Sequence, residues 1–321
     1  MSILIYAESQ NGKVSKGAKE LASYAKAYGD KTGQDVVAVG FGVANADELY
    51  KYGVSKLLNV SDDTLKTFNA YAHAEAIAQA AKQVNANLVL VSSSNDAVYM
   101  APILADKMNA AYVSQVIALP EEGADFIVKR KTFSNKGIAY TALTADNKLL
   151  RISKNSFGII ENSVAGSEES FAPDIDKSVY ETLKITNVEK VTGKVPLTDA
   201  DIIVSAGRGM KAAENWGMVE ELAEVLGAST ACSKPVADIG WRPHTEHVGQ
   251  TGKQVAPNLY IAIGISGAIQ HLAGVNSSKV MLVINNDAEA PFFKAADYGV
   301  VGDAFEVVPA LIEKLKAFKQ N

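Results

Sequence analysis

Short runs of apolar, β-rich residues alternate with helix-length segments along this chain, and that rhythm limits the fold more than any other feature. Ile3–Tyr6 reads as a strand, and Lys16–Tyr28 has helical spacing with Leu21, Ala25 and Tyr28 on one side. Asp35–Val39 is a second strand. A helix over Phe68–Val84 puts Ala74, Ile77, Ala78 and Ala81 on one face, and Leu88–Val91 with a helix from about Val98 to Met108 completes the series. Such alternation specifies an α/β fold with a parallel sheet. After Tyr112 the rhythm changes. Phe126–Arg130, Ile138–Leu143 and Leu149–Ile152 follow one another with only Gly137 and Asp146-Asn147 as punctuation. No helix fits between them, so they are expected to be antiparallel strands appended to the parallel sheet.

The α/β rhythm restarts at Ala200–Ser205. It continues through a helix from about Asn215 to Leu226 with Gly227 as its C′ glycine, strands at Leu259–Gly264 and Lys279–Ile284, and an amphipathic helix over Val307–Phe318. Between the two halves, residues 164–198 hold Gly166, Ser167, Glu168, Glu169, Pro173 and Pro196 with little apolar periodicity. The expectation is therefore two domains: a parallel α/β domain with added antiparallel strands over 1–163, a joint over 164–198, and a doubly wound α/β domain over 199–321. The length of 321 residues suits that number. There is no internal repeat.

Composition removes several function classes. A net charge of −5 and no basic cluster beyond Lys129-Arg130-Lys131 argue against nucleic acid, whose phosphates are held by clustered Lys and Arg. One cysteine, Cys232, rules out an intrachain disulfide and fits a reducing compartment. No basic leader precedes the first strand. The most apolar window, Leu259–Val275, is shorter than the roughly 20 residues of a spanning helix and contains Ser266, Gln270 and His271. A soluble, cytoplasmic protein without membrane insertion is expected.

Chemistry concentrates in the second half. Val248-Gly249-Gln250-Thr251-Gly252-Lys253 and Ser266-Gly267-Ala268-Ile269-Gln270-His271 each set permissive small residues beside hydrogen-bonding side chains, and the strand between them places both at one sheet edge. Gly207-Arg208-Gly209 with Ala212 matches the dinucleotide pattern G-x-G-x-x-A after a strand, with Arg208 suited to a phosphate; a plain tight turn satisfies the same pattern. Asn285-Asn286-Asp287 ends a strand, where α/β sheets take ligands. Asp303 offers a carboxylate or simply a helix N-cap. There is no Walker pattern and no zinc spacing; His244 and His247 lie in a loop. Cys232 has no adjacent base, His73 beside Glu75 reads as surface, and no carboxylate pair suggests acid–base work. The site binds rather than making and breaking covalent bonds.

The segments Val248–Lys253, Leu259–Gly274, Ile284–Pro291 and Ala296–Asp303 resemble, in order and spacing, the C-terminal FAD domain of electron transfer flavoprotein alpha subunits, over about Asp201–Leu315. The resemblance implies a heterodimer with a beta subunit carrying AMP or a second FAD, and one FAD held mainly by this chain. It implies an electron carrier without substrate turnover of its own. Electrons would arrive from flavin dehydrogenases such as the acyl-CoA dehydrogenases of fatty acid oxidation and leave to a quinone-linked or other acceptor. Carried over, Arg208 and Ser229 contact FAD. Val248, Gly249, Gln250 and Thr251 face the isoalloxazine, with the Thr251 hydroxyl near N5. Ser266, Gly267, Ala268, Ile269, Gln270 and His271 cover the pyrophosphate and pyrimidine side, with His271 near N1 and O2. Asn285 and Asp303 hold the adenosine end.

One position departs from the family pattern. An arginine commonly follows the serine matched to Ser229, and Thr230 stands there instead. A cation beside the ring favours the reduced, anionic flavin. Arg242, with Lys234 and His247 as further candidates, is expected to replace it, unless these residues are solvated loop. Two other readings remain: a stand-alone FAD- or NAD-dependent oxidoreductase, and a nucleotide-binding interaction module built on the N-terminal half, supported by the polar run Val91–Asp96.

Overall fold

In the first strand, Ser2–Ala7, Ile3, Leu4 and Ile5 are all fully buried. Side chains alternate across a strand, so a run buried at every position needs cover on both faces. The computed structural model supplies it; it describes residues 2–320 except 122, 124, 134, 177 and 179–194. Ile3 and Ile5 pack with Leu21 and Tyr24 of the helix Lys16–Thr32 on one face. Leu4 packs with Ile77 and Met100 of the helices Ala70–Gln83 and Asn95–Lys107 on the other.

The chain divides into two units, Met1–Val188 and Glu189–Asn321. The first is built on a nine-stranded sheet in the order Ser167–Ser170, Lys56–Val60, Asp35–Phe41, Ser2–Ala7, Ala86–Val91, Lys148–Ile152, Ala111–Val116, Phe126–Thr132 and Gly137–Leu143. Only the last two strands run antiparallel to their neighbours. Part of the segment expected as a joint therefore lies in this sheet, as the strand Ser167–Ser170 beside Lys56–Val60. Residues 179–194 of that segment lie outside the described residues.

Two expectations for this unit are corrected. Lys148–Ile152 is not an appended antiparallel strand. It lies inside the sheet, parallel to both neighbours, with Leu149 opposite Val89 and Tyr112. Leu149 and Leu150 are fully buried, the mark of a strand covered on both faces, and the short link before it masked that signal. His73 is not on the surface. It is buried one turn before Ile77 on the sheet-facing side of its helix, against the rings of Phe41, at 4.0 Å between centroids, and Phe68. Burial holds its pKa down at about 4.

The second unit has a five-stranded, fully parallel sheet in the order Ser229–Cys232, Ile202–Ala206, Leu259–Ile263, Val280–Asn285, Tyr298–Val301. The chain leaves Ile202–Ala206 for one side of the sheet and returns to the other. The gap between Ile202–Ala206 and Leu259–Ile263 is thus a topological switch point, where a crevice opens beyond the carboxyl ends of the strands. Among the described residues no helix is long and apolar enough to cross a membrane.

Candidate functional site

At that switch point two glycine turns are pressed together. Gly207-Arg208-Gly209 leaves the first strand and Gly264 leaves the third, and the Gly209 amide donates to the Gly264 carbonyl at 3.1 Å. A Cβ on Gly209 would stand 2.6 Å from the Cα of Gly264, which itself has φ +59°, so neither position accepts a side chain. The G-x-G-x-x-A pattern does not open a helix here. Arg208–Met210 and Ala213–Trp216 are short 3₁₀ turns, Ala212 is extended, and the helix starts only at Gly217. Arg208 is exposed at the mouth of the crevice.

The crevice is a cavity of about 460 Å³. Of the residues expected at the site it brings together Arg208, Val248, Gly249, Gln250, Thr251, Ser266, Ala268, Gln270, His271 and Asn285. The loop 248–251 is held by backbone bonds, the Val248 amide to the Cys232 carbonyl at 3.0 Å and the Gln250 amide to the Gln270 carbonyl at 2.7 Å. This leaves the Gln250 and Thr251 side chains exposed. Asn285 is buried and ties two lining loops: its Nδ2 donates to the Ile265 carbonyl at 3.1 Å and its Oδ1 accepts from the Asp287 amide at 3.0 Å. His271, in the first turn of the helix Ile269–Val275, is buried with Nε2 at 2.9 Å from the Tyr260 hydroxyl. Burial, and then the nearby His247, lower its pKa to about 4 against the Val248 carbonyl, so the ring is neutral at pH 7.

Other expected residues lie elsewhere. Ser229 and Thr230 begin the strand Ser229–Cys232, at the end away from the crevice, and the Ser229 hydroxyl donates to the Val195 carbonyl at 3.0 Å. Gly267 does not line the cavity; its φ of +85° lets it pass Phe292, whose backbone a Cβ there would meet at 2.5 Å. Ile269 is exposed at the start of its helix. Asp303 accepts the Phe305 amide at 2.9 Å, as an N-cap does. Arg242 is engaged by carboxylates, its Nε and Nη2 on Glu246 at 2.8 Å each and its Nη1 on Glu220 at 2.8 Å, and it lies over the Trp216 ring. Arg242 is not among the lining residues.

At the carboxyl end of that same strand stand residues the sequence did not place as a group. Ser233, Lys234 and Pro235 line the cavity, with His247, Ile265, Asp287 and Ala290. Four strand residues span roughly 10–13 Å, so the choice between Ser229 and Ser233 decides which end of the sheet a serine serves. A signal was available: Ser233 is followed directly by a cation, and Ser229 is not. Lys234 forms an ion pair with Asp238 at 2.6 Å and is the lysine at this edge.

The donors fit a large polar group with carbonyls and phosphates. Hydroxyls, amides and two cations converge there, and the buried Nδ1 of His271 has no hydrogen-bond partner among the described residues. Nothing in the cavity suits covalent catalysis. Burial pushes the Cys232 thiol up to about 12, and no group of three or more His, Cys, Asp and Glu suited to a metal occurs among the described residues.

The family of electron transfer flavoprotein FAD-binding domains matches residues 196–276, which span most of the lining segments, and the electron transfer flavoprotein domain matches residues 3–178. An electron transfer flavoprotein subunit alpha of Syntrophomonas wolfei is 37% identical over 319 residues, covering 97% of this chain and 98% of that protein. The subunit alpha of Pseudomonas aeruginosa is 35% identical, covering 97% and 99%, and the mitochondrial one of Arabidopsis thaliana 32% identical, covering 98% and 90%. This chain belongs to the electron transfer flavoprotein family, among its alpha subunits.

Proposed function

We propose that the switch-point cavity holds FAD and that this chain, paired with a beta subunit, carries electrons between flavoproteins. On this reading electrons enter from flavin dehydrogenases, acyl-CoA dehydrogenases among them, and leave to a quinone-linked or other acceptor, while the beta subunit carries AMP or a second FAD. The observation that carries the proposal is the coincidence of the cavity with the segments matched by the FAD-binding domain family.

FAD supplies the redox chemistry when bound; the chain sets its orientation and surroundings. Arg208 and Ser266 offer donors for phosphates at the glycine turns. Gln250, Thr251 and Gln270 present hydrogen-bonding side chains from loops fixed by their backbones. Asn285, already engaged on both sides, keeps the Ile265 and Asp287 loops at a set separation. Ser233 and Lys234 take the role the resemblance gave to Ser229 and the position after it, because the strand delivers them, and not Ser229 and Thr230, to the cavity. Lys234 is then the cation that favours added negative charge, and Arg242, neutralised by two carboxylates, is a structural ion pair.

Co-expression with a beta subunit and a visible spectrum of the purified pair tests the proposal. Flavin bands that bleach on reduction and return on reoxidation are expected. A pair that stays colourless after added FAD would overturn it.

A further inference from the structure

Three residues after Arg208 the backbone takes a conformation that lysine has no reason of its own to adopt. Lys211 has φ 66° and ψ −40°, and the Ala212 amide donates across it to the Met210 carbonyl at 2.7 Å. This is a γ-turn, strained for any residue that carries a Cβ. Five of the eight non-glycine residues with positive φ in the described chain are asparagines, which tolerate it, and Lys211 is the only one of the eight in the second unit. The reversal is tightly fixed. The Lys211 amide donates to the Arg208 carbonyl at 2.9 Å, and the Met210 carbonyl accepts a second bond from Asn215 Nδ2 at 2.9 Å. A glycine would make the same turn without strain, so the side chain must give the reason for a lysine.

That side chain reaches the start of the last helix, Ala304–Gln320. Its Nζ lies 4.5 Å from the centroid of the half-buried Phe305 ring, over the ring, and 3.9 Å from Asp303 Oδ2. The exposed ion pair alone would hold little, and the ring face supplies the rest of the attraction. The glycine turn follows the strand Ile202–Ala206 and the helix follows Tyr298–Val301, with two strands of the sheet between them. Lys211 therefore straps together two loops whose strands are not neighbours. Both loops belong to the cavity's rim: Gly207, Arg208 and Gly209 line it, and the Gly302 amide donates to the carbonyl of the lining Asn285 at 3.0 Å. Lys211 and Phe305 are not among the lining residues.

We infer that Lys211 is a positioning residue: its ammonium, lodged between the Phe305 ring and the Asp303 carboxylate, holds the glycine turn in its strained form and so fixes where Arg208 presents its donors to the cavity's ligand. The inference rests on the FAD reading for the identity of that ligand but not for the strap. Lys211 acts only through the turn.

The test uses Lys211→Gly, which keeps the backbone conformation accessible and removes the strap, Lys211→Arg, which keeps a cation, and Phe305→Leu alone and combined with Lys211→Gly. Each is the full chain purified with its beta partner. Lys211→Gly is expected to weaken FAD roughly fivefold to tenfold and Lys211→Arg less than about twofold. Phe305→Leu should weaken it roughly threefold in the native background and hardly at all beside Lys211→Gly. The thermal midpoint of the FAD-free pair should stay within about 2 °C of native in Lys211→Gly, since relieved strain offsets the lost contact; it is measured without FAD because ligand loss alone would lower it. Native FAD affinity in Lys211→Gly, an equal loss in Lys211→Arg, or effects of Lys211→Gly and Phe305→Leu that add in full would overturn the inference. So would a large fall in the midpoint, the mark of a general structural role. Hydrogen exchange of the Gly209 and Ala212 amides in the FAD-free pair gives an independent reading: it should quicken roughly tenfold in Lys211→Gly and hold in Lys211→Arg, and native rates in Lys211→Gly would overturn the strap. A native pair that takes up no FAD would sink the cofactor reading, while the exchange rates would still decide the strap.

Discussion

The two sheets of this chain contain the same topological opportunity and treat it in opposite ways. In the first unit Ser2–Ala7 lies between Asp35–Phe41 and Ala86–Val91, all parallel, so the chain switches sides there as it does at Ile202–Ala206 in the second. Beyond the first switch stand Glu8 and the serines 92–94. The Glu8 carboxylate accepts from the hydroxyls of Ser92, at 3.0 Å, and Ser94, while Ser94 caps the helix Asn95–Lys107. A carboxylate thus sits where a helix N-terminus would favour an outside anion. Beyond the second switch stand glycines, Gly207, Gly209 and Gly264, with donors arranged around an open cavity. One edge satisfies itself, and the other leaves the buried Nδ1 of His271 without a partner among the described residues. The serine run of the first unit, which on its own suggested a nucleotide module, is used internally.

The comparison can be broken most severely at the glycine turn. Gly264→Ala places a Cβ 2.7 Å from the Gly209 Cα at a positive φ, and should remove FAD binding by more than about a hundredfold, with a loss of about 2–4 kcal/mol in the second unit. FAD content and thermal unfolding measure both, and retained FAD would show that the turns need not meet.

Next in size is a pH effect that His73 brings to the first unit and His271, depressed alike, to the second. The folded pKa of His73, about 4, lies below its unfolded value of 6.5, so the unfolded chain binds the proton first as pH falls. The stability it confers is complete above about pH 6.5 and lost by about pH 4, a change of about 3 kcal/mol. Denaturant unfolding at both limits should show the slope, and His73→Phe should remove the first unit's share of it while leaving that of His271. A slope unaffected by that substitution would assign the effect to other groups.

Lys234 and Arg242 sharpen the contrast within the second unit. Lys234→Ala should weaken FAD about tenfold and lower the flavin potential, and Arg242→Ala should leave the potential alone while costing roughly 1 kcal/mol of stability through Glu246 and Glu220. Potentiometry on the two variants decides between them; a shift with Arg242→Ala and none with Lys234→Ala would reverse the assignment. Smallest is Glu8→Ala. It should cost the first unit about 1 kcal/mol and leave FAD affinity unchanged. Equilibrium dialysis should find no AMP bound to the native first edge at ~1 mM, and binding there would end the distinction between the edges.

Much of this was legible in the sequence, for reasons that differ by residue. Ile3–Tyr6 and Leu259–Gly264 announced themselves because strands buried on both faces must be apolar throughout. Gly227 marked its helix end correctly, at φ +66°. The polar loops at Val248 and Ser266 were recognisable because small, permissive residues there stand beside hydrogen-bonding side chains. His73 was misread because residue type outweighed its helical phase. Lys148–Ile152 was misread because the length of a connecting segment does not reveal which strand the chain will pair with. Ser229 was matched through the resemblance and Ser233 was not weighed, because which end of a four-residue strand meets the crevice is known only from its direction in the sheet.

The sequence by itself determined the α/β class, the edge at which the polar loops meet and the polar character of their side chains, since burial, turn geometry and hydrogen-bonding chemistry are local demands that each segment must meet in its own residues. The tertiary structure alone decided that Lys234 and not Arg242 faces the cavity, that Glu8 closes the other edge, and that Tyr260 reaches His271. Each of these depends on which strand lies beside which, and pairing across a sheet is set by the packing of the whole unit rather than by any one segment.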